Sequence, residues 1–191
     1  KSREYNGKAL ELPEVTVEGD GFVNGEVTDI KATGSITRVG KVTNTITYTP
    51  SDKFKEKNYT ITKHEGELEV TNRKQKYEIT VTANSVKATY DGKEHEAAGF
   101  ETTKFTVDGN EYTVSGLSAK VTGTDADSYT SKVTGTAVVK DKAGKDVTAQ
   151  FTVNTANGTL TISPRSVTLT SQGKSREYNG KALELPEVTV E

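Results

Sequence analysis

The segment Lys1 to Glu18 recurs without a single substitution as Lys174 to Glu191, so the chain carries a little more than one period of a 173-residue repeat. A fixed period of this size means that a domain-scale unit has been copied, and each copy must bury its apolar faces against itself or its neighbours. An unaltered copy also points to recent duplication within a long array.

A second, weaker repeat lies inside the first. Tyr5-Asn6-Gly7-Lys8 is echoed by Tyr90-Asp91-Gly92-Lys93 and by Tyr178-Asn179-Gly180-Lys181, at spacings of 85 and 88 residues. Further on, Thr33-Gly34-Ser35 aligns with Thr122-Gly123-Thr124, and Asn58-Tyr59-Thr60-Ile61 with Gln150-Phe151-Thr152-Val153, with Gly66 and Gly158 following in step. The offset drifts to 89 and then to 92, as insertions in surface loops would make it do. One period therefore holds two diverged modules. Residues 1–72 form module one, lacking its first strand; residues 73–163 form module two; residues 164–191 begin a third that repeats the N-terminal segment.

Apolar residues make up 31% and charged residues 27% of the chain, with a net charge of −2. That balance supplies no electrostatic reason to expect a nucleic acid or an anionic membrane as partner. Cysteine is absent, which excludes a disulfide, a thiolate metal site or a thiol nucleophile within this stretch. No apolar run is long enough to cross a bilayer and no charged-then-apolar leader opens the chain, so no membrane insertion is expected in this fragment and any signal or anchor is expected outside it.

Alternating apolar and polar residues dominate, as in Tyr77-Glu78-Ile79-Thr80-Val81-Thr82 and Gly66-Glu67-Leu68-Glu69-Val70-Thr71. A period of two puts Ile79 and Val81 on one strand face and threonines on the other, and threonine at roughly one residue in six suits strands. In module one, strands are expected near residues 9–18, 26–36, 41–49, 59–63 and 67–71, with longer arms in module two. Asn6-Gly7, Asn24-Gly25, Asp91-Gly92, Asp108-Gly109 and Asn157-Gly158 supply turn residues tolerant of positive φ. Tyr59 to Ile61 with Leu68 to Val70, and Phe151 to Val153 with Leu160 to Ile162, read as the closing hairpins of the two modules. The expected fold is all-β: tandem small β-sandwich (immunoglobulin-like) modules in an elongated array.

The strings Tyr-(Asn/Asp)-Gly-Lys, Gly123-Thr124-Asp125-Ala126, Asp146-Val147-Thr148-Ala149-Gln150-Phe151-Thr152-Val153 and Gly158-Thr159-Leu160-Thr161-Ile162 resemble the YDG/MBG-type repeats of bacterial cell-surface proteins. The resemblance covers nearly all of module two. Module one is similar more loosely, with the Lys-rich stretch Lys53 to Lys57 where the family often has Asp-Val-Thr. It implies a secreted, tandemly repeated stalk or adhesin domain at the bacterial cell surface. Motifs made of turn and strand residues carry over a fold and a setting but no active site.

The residues themselves assemble no chemistry. His64 and His95 fall at different places in the two modules, with no serine or cysteine constellation around either. Asp125 with Asp127, and Asp141 with Asp146, match no calcium-loop spacing. An internal Lys-to-Asn amide crosslink would need a buried lysine beside an asparagine, whereas both types sit mostly in turns. Tyr5, Tyr59, Tyr90 and Phe151 occupy corresponding positions and read as core or corner residues. Tyr48, Tyr112 and Tyr129 would offer stacking surfaces to a glycan if exposed. No catalytic, cofactor-binding or metal-binding residue is assigned, and no cofactor is expected.

Two readings of function follow. The first is a non-enzymatic structural stalk of a surface adhesin, its modules joined at Thr71 to Lys76 and at Ser163 to Arg165. The second is a repeat that binds a host or microbial glycan or protein with many weak sites. The expected partners are neighbouring repeats of the same array, including head-to-tail pairing of strand Ser166 to Ser171 with module one of another molecule.

Overall fold

The computed structural model describes residues 1–184, and the chain is nearly all β. In chain order the strands are β1 (Ser2–Glu4), β2 (Leu10–Glu11), β3 (Val27–Ala32), β4 (Ser35–Ile36), β5 (Gly40–Asn44), β6 (Ile46–Pro50), β7 (Gly66–Thr71), β8 (Tyr77–Thr82), β9 (Val86–Thr89), β10 (His95–Ala98), β11 (Lys104–Val107), β12 (Asn110–Gly123), β13 (Ser128–Ser131), β14 (Val133–Asp141), β15 (Phe151–Ala156) and β16 (Gly158–Ser163). Single 3-10 turns at Glu56–Asn58 and Thr148–Gln150 lead into the matching aromatics Tyr59 and Phe151. The Lys-rich departure of module one thus keeps the same backbone turn.

The two modules repeat their pairings. β7 lies between β1, parallel, and β5, antiparallel; β16 lies between β9, parallel, and β13, antiparallel. The antiparallel pair β3–β6 matches β12–β14, and both carry an irregularity, between Thr28 and Lys31 and between Ser115 and Leu117. The bulged residues Asp29 and Gly116 correspond, with φ of 51° and 80°. A bulge needs one residue in the left-handed region, and aspartate is among the few non-glycines that tolerate it.

These ladders correct the sequence alignment at one point. Leu10 pairs with Ile36 where the corresponding His95 pairs with Gly123, so Gly34 matches Val121 and not Gly123. The two glycines are bare for different reasons. A Cβ on Gly34 would lie 2.7 Å from Asn44 Oδ1, and one on Gly123 would lie 2.4 Å from the Tyr129 ring. Asn44 is buried and spends its amide as a clamp: Gly34 N–H donates to its Oδ1 (2.9 Å) while its Nδ2 donates to Leu12 O (2.8 Å).

The expected closing hairpins are not formed. β15 pairs in parallel with β8, from Phe151 opposite Tyr77 to Ala156 opposite Thr82, and β16 pairs in parallel with β9, from Leu160 opposite Val86 to Ser163 opposite Thr89. The register is the same on both sides of the kink at Ala83 to Ser85 and Asn157. Two parallel strands therefore cross together from one sheet into another, leaving β15 and β16 in different sheets. Alternation reports that a segment is a strand but not which edge it meets. In module one the segment Tyr59 to Lys63 forms no strand, and β7 takes β1 and β5 as its neighbours.

Other expected strands are shorter. The run 9–18 is strand only at β2, since Pro13 cannot donate to a ladder, though its carbonyl accepts from Ala32 N–H (3.0 Å). The run 26–36 breaks at Thr33-Gly34 into β3 and β4. The run 41–49 breaks at Thr45 into β5 and β6, which join different sheets. Only Asp108-Gly109 makes a two-residue hairpin of the expected kind: Val107 pairs with Asn110, and φ is 51° at Asp108 and 79° at Gly109. Gly158 is not in the left-handed region.

Packing crosses the expected boundary between residues 72 and 73. The larger core joins Tyr5, Leu10, Leu68 and Val70 of module one to Ile79, Val81, Tyr112, Val114, Val139, Val147 and Phe151 of module two. A smaller core of Ala97, Leu160 and Ile162, flanked by Val86, Ala88, Val121 and Tyr129, lies beyond the kink.

Candidate functional site: the joint between modules

The Tyr-(Asn/Asp)-Gly-Lys turn builds itself from local contacts. The lysine backbone N–H donates to the side-chain oxygen two residues back in all three copies: Lys8 to Asn6 (3.1 Å), Lys93 to Asp91 (3.0 Å) and Lys181 to Asn179 (3.2 Å). Gly7, Gly92 and Gly180 have φ of 73°, 78° and 73°, which glycine adopts without strain. The turn is thus ready-made, and the copies differ in what covers them. Tyr5 is 2% exposed, Tyr90 40% and Tyr178 97%.

What covers the first copy is module two. Tyr5 Oη and Tyr112 Oη lie 3.4 Å apart, Asn110 Nδ2 donates to Asn6 O (3.1 Å), and a Cβ on Gly7 would sit 2.6 Å from Tyr112 Oη. Gly7 therefore serves a second purpose beyond its turn, because the neighbouring module rests directly on it. Around Gly92 and Gly180 nothing lies within 4 Å of an added Cβ.

The connection between β7 and β8 is stitched to both modules. Buried Gln150 accepts from Arg73 N–H (3.0 Å) and donates to Asn72 Oδ1 (2.6 Å). The Arg73 guanidinium lies 3.8 Å over the Tyr77 ring and donates to Tyr5 O and Tyr77 Oη, both at 3.0 Å. Tyr77 in turn donates to Asp108. Past β16, Pro164-Arg165 stand where Asn72-Arg73 stand past β7, so the arginine recurs in sequence at the next connection.

This joint resists ionisation. Burial, then the hydrogen bond to Asp108, pushes the Tyr77 hydroxyl from 10.0 up to about 12, and burial beside Tyr112 pushes Tyr5 up as well. A folded-state value above the unfolded one means that the stabilisation is full below pH 10 and is lost as pH rises through the folded value. Urea midpoints should therefore fall between pH 10 and 12. Tyr77→Phe should flatten that fall, and an unchanged slope would separate Tyr77 from the joint's stability.

The remaining candidates are dispersed. His64 is exposed, while His95 contacts Asp91 at 2.9 Å on the uncovered turn of module two. Asp127, Asp141 and Asp146 accept local backbone N–H bonds from Ser128, Lys145 and Thr148. Tyr129 donates to Asp125 O (3.1 Å). Among the described residues no group of three or more His, Cys, Asp or Glu is placed to hold a metal ion, no lysine is buried, and no helix is long and apolar enough to cross a membrane. Tyr112 is a core residue, 2% exposed, and not the surface platform considered from sequence. Its position opposite Phe105 near the start of β12 was hidden because module one has no tyrosine to match it.

In module one, Phe22, Tyr48, Phe54 and Tyr59 form a half-buried aromatic cluster with centroids 5.2–6.3 Å apart. Tyr59 donates to Glu26 Oε2 (2.6 Å), and Lys63 Nζ lies 5.1 Å over the Tyr48 ring. Comparison with known proteins yields no matching family model, no matching curated protein and no matching solved structure.

Proposed function

We propose that this chain is part of a non-enzymatic stalk of a bacterial surface adhesin, in which tandem small β-sandwich modules hold a distant binding domain away from the cell wall. The observation that carries this reading is the joint: a shared apolar core, a tyrosine pair and a stitched connection link consecutive modules, which is what a spacer needs to keep its length. The exact repeat adds that length is set by copy number. Resemblance to YDG/MBG-type surface repeats supports the extracellular setting.

The test is small-angle scattering from chains of one, two and three periods. The maximum dimension is expected to grow by an equal increment per period. Shrinking increments, as in a chain folded back on itself, would contradict a spacer. A glycan array run on the same chains addresses the alternative, a multivalent binding repeat. Specific retention abolished by Tyr48→Ala or Tyr129→Ala would replace the spacer reading with that one.

A further inference from the structure

Module two begins and ends on one ribbon. Its first two strands, β8 and β9, run in parallel with its last two, β15 and β16, in a single register of six pairs before the kink and four after it. Backbone bonds continue through the kink, where Ala83 N–H donates to Ala156 O, and past β9, where Tyr90 N–H donates to Ser163 O, both at 2.9 Å. Thr159 N–H adds a bond to Ser85 Oγ (3.1 Å).

The chain enters this ribbon at Tyr77, opposite Phe151, and leaves it at Ser163, opposite Thr89. Entry and exit therefore lie at opposite ends, so tension along the chain draws β8 and β9 backwards and β15 and β16 forwards. A parallel pair loaded in that direction is sheared, and its evenly spaced bonds carry the load together. Had the last strands run antiparallel to the first, entry and exit would share one end, and the same tension would open the pairs one at a time. The ribbon is also shielded from water. Val81, Ala83, Leu160 and Ile162 are buried, and a stretched bond in such surroundings finds no solvent partner to replace it.

The kink adds a stop. Gly158 is the one residue from Phe151 to Ser163 without a Cβ, and it lies where a Cβ would meet the Asn84 oxygen at 2.1 Å and the Ala83 oxygen at 2.8 Å. Asn84 is held in place by its N–H donating to Gly99 O (3.0 Å) and its Nδ2 donating to Ala98 O (2.8 Å). The smallest slip that keeps every side chain on its own face is two residues, and under tension it would bring the Cβ of Ala156 against that oxygen. The sheared strands thus have one register and no slipped one to settle into.

We infer that β8 and β9, paired with β15 and β16, form a force-bearing clamp that holds module two shut against tension along the chain and releases in a single step. The inference rests on the stalk reading for its purpose, since a spacer between a cell and whatever its tip holds is pulled lengthwise. The two fail separately: scattering reports how length adds up, whereas rupture force reports how strength depends on direction.

The test is single-molecule force spectroscopy of the full chain, pulled in two directions. Because the chain has no cysteine, handles attach only at an introduced pair. Lys76→Cys with Ser166→Cys loads the ribbon from opposite ends, and Lys76→Cys with Ala149→Cys loads it from one end. All three positions are exposed, so both variants should keep the parent's urea midpoint. At equal loading rate the rupture force is expected to be at least about twofold higher for the first pair, because its bonds must fail together and not in turn. That rupture should come in one step. Equal forces in the two directions, a higher force when loaded from one end, or gradual lengthening of the first pair would overturn the inference.

Discussion

Replacing Gly158 by alanine is expected to lower the unfolding free energy by about 3 kcal/mol, the upper range for overpacking by one methyl group. The added carbon would meet the Asn84 oxygen at 2.1 Å and the Ala83 oxygen at 2.8 Å. Neither can withdraw cheaply. Asn84 N–H donates to Gly99 O (3.0 Å), its Nδ2 donates to Ala98 O (2.8 Å), and Ala83 N–H donates to Ala156 O (2.9 Å). The kink is thus fixed to the strands on either side of it. The same substitution at Gly66 should cost less than about 0.5 kcal/mol in dilute solution, as for surface changes away from packed features. Urea denaturation of the two variants in parallel checks this, and equal losses would show that the crossing strands do not crowd Gly158.

Truncating Phe151 to alanine should cost about 4 kcal/mol. Its ring is 4% exposed, meets Tyr112 edge-on at a centroid distance of 4.8 Å and lies 5.5 Å from Tyr77. Because the surrounding core also contains Tyr5, Leu68 and Val70, the loss is expected to spread into module one and lower one cooperative transition. Against a typical domain stability of about 5–15 kcal/mol, that is enough to populate unfolded chain under mild denaturant.

Much of the strand content was legible in the sequence, because Ile79 and Val81, or Leu68 and Val70, alternate with polar residues and bury as that alternation requires. The turn at Asp108-Gly109 was legible for the same local reason. Pairing was not. The parallel contact of β8 with β15 joins segments more than seventy residues apart, and no local period distinguishes it from the hairpin that Phe151 to Ile162 suggests. The joint was half visible. The recurring tyrosines marked a corner, but the surface that rests on Gly7 belongs to β12 of the other module, where Asn110 and Tyr112 have no repeated signature. Gly34 and Gly123 show a further limit: identical letters in similar strings arose from different steric needs.

Modules that merely follow one another would each loosen alone, whereas the shared core couples residues 1–72 to residues 73–163. Native-state hydrogen exchange on the Phe151→Ala chain reads this coupling residue by residue. Protection of the Leu68 and Val70 amides in module one is predicted to fall by the same free energy as that of Ile79 and Val81 in module two. Unchanged protection at Leu68 and Val70, with loss confined to module two, would contradict a shared core.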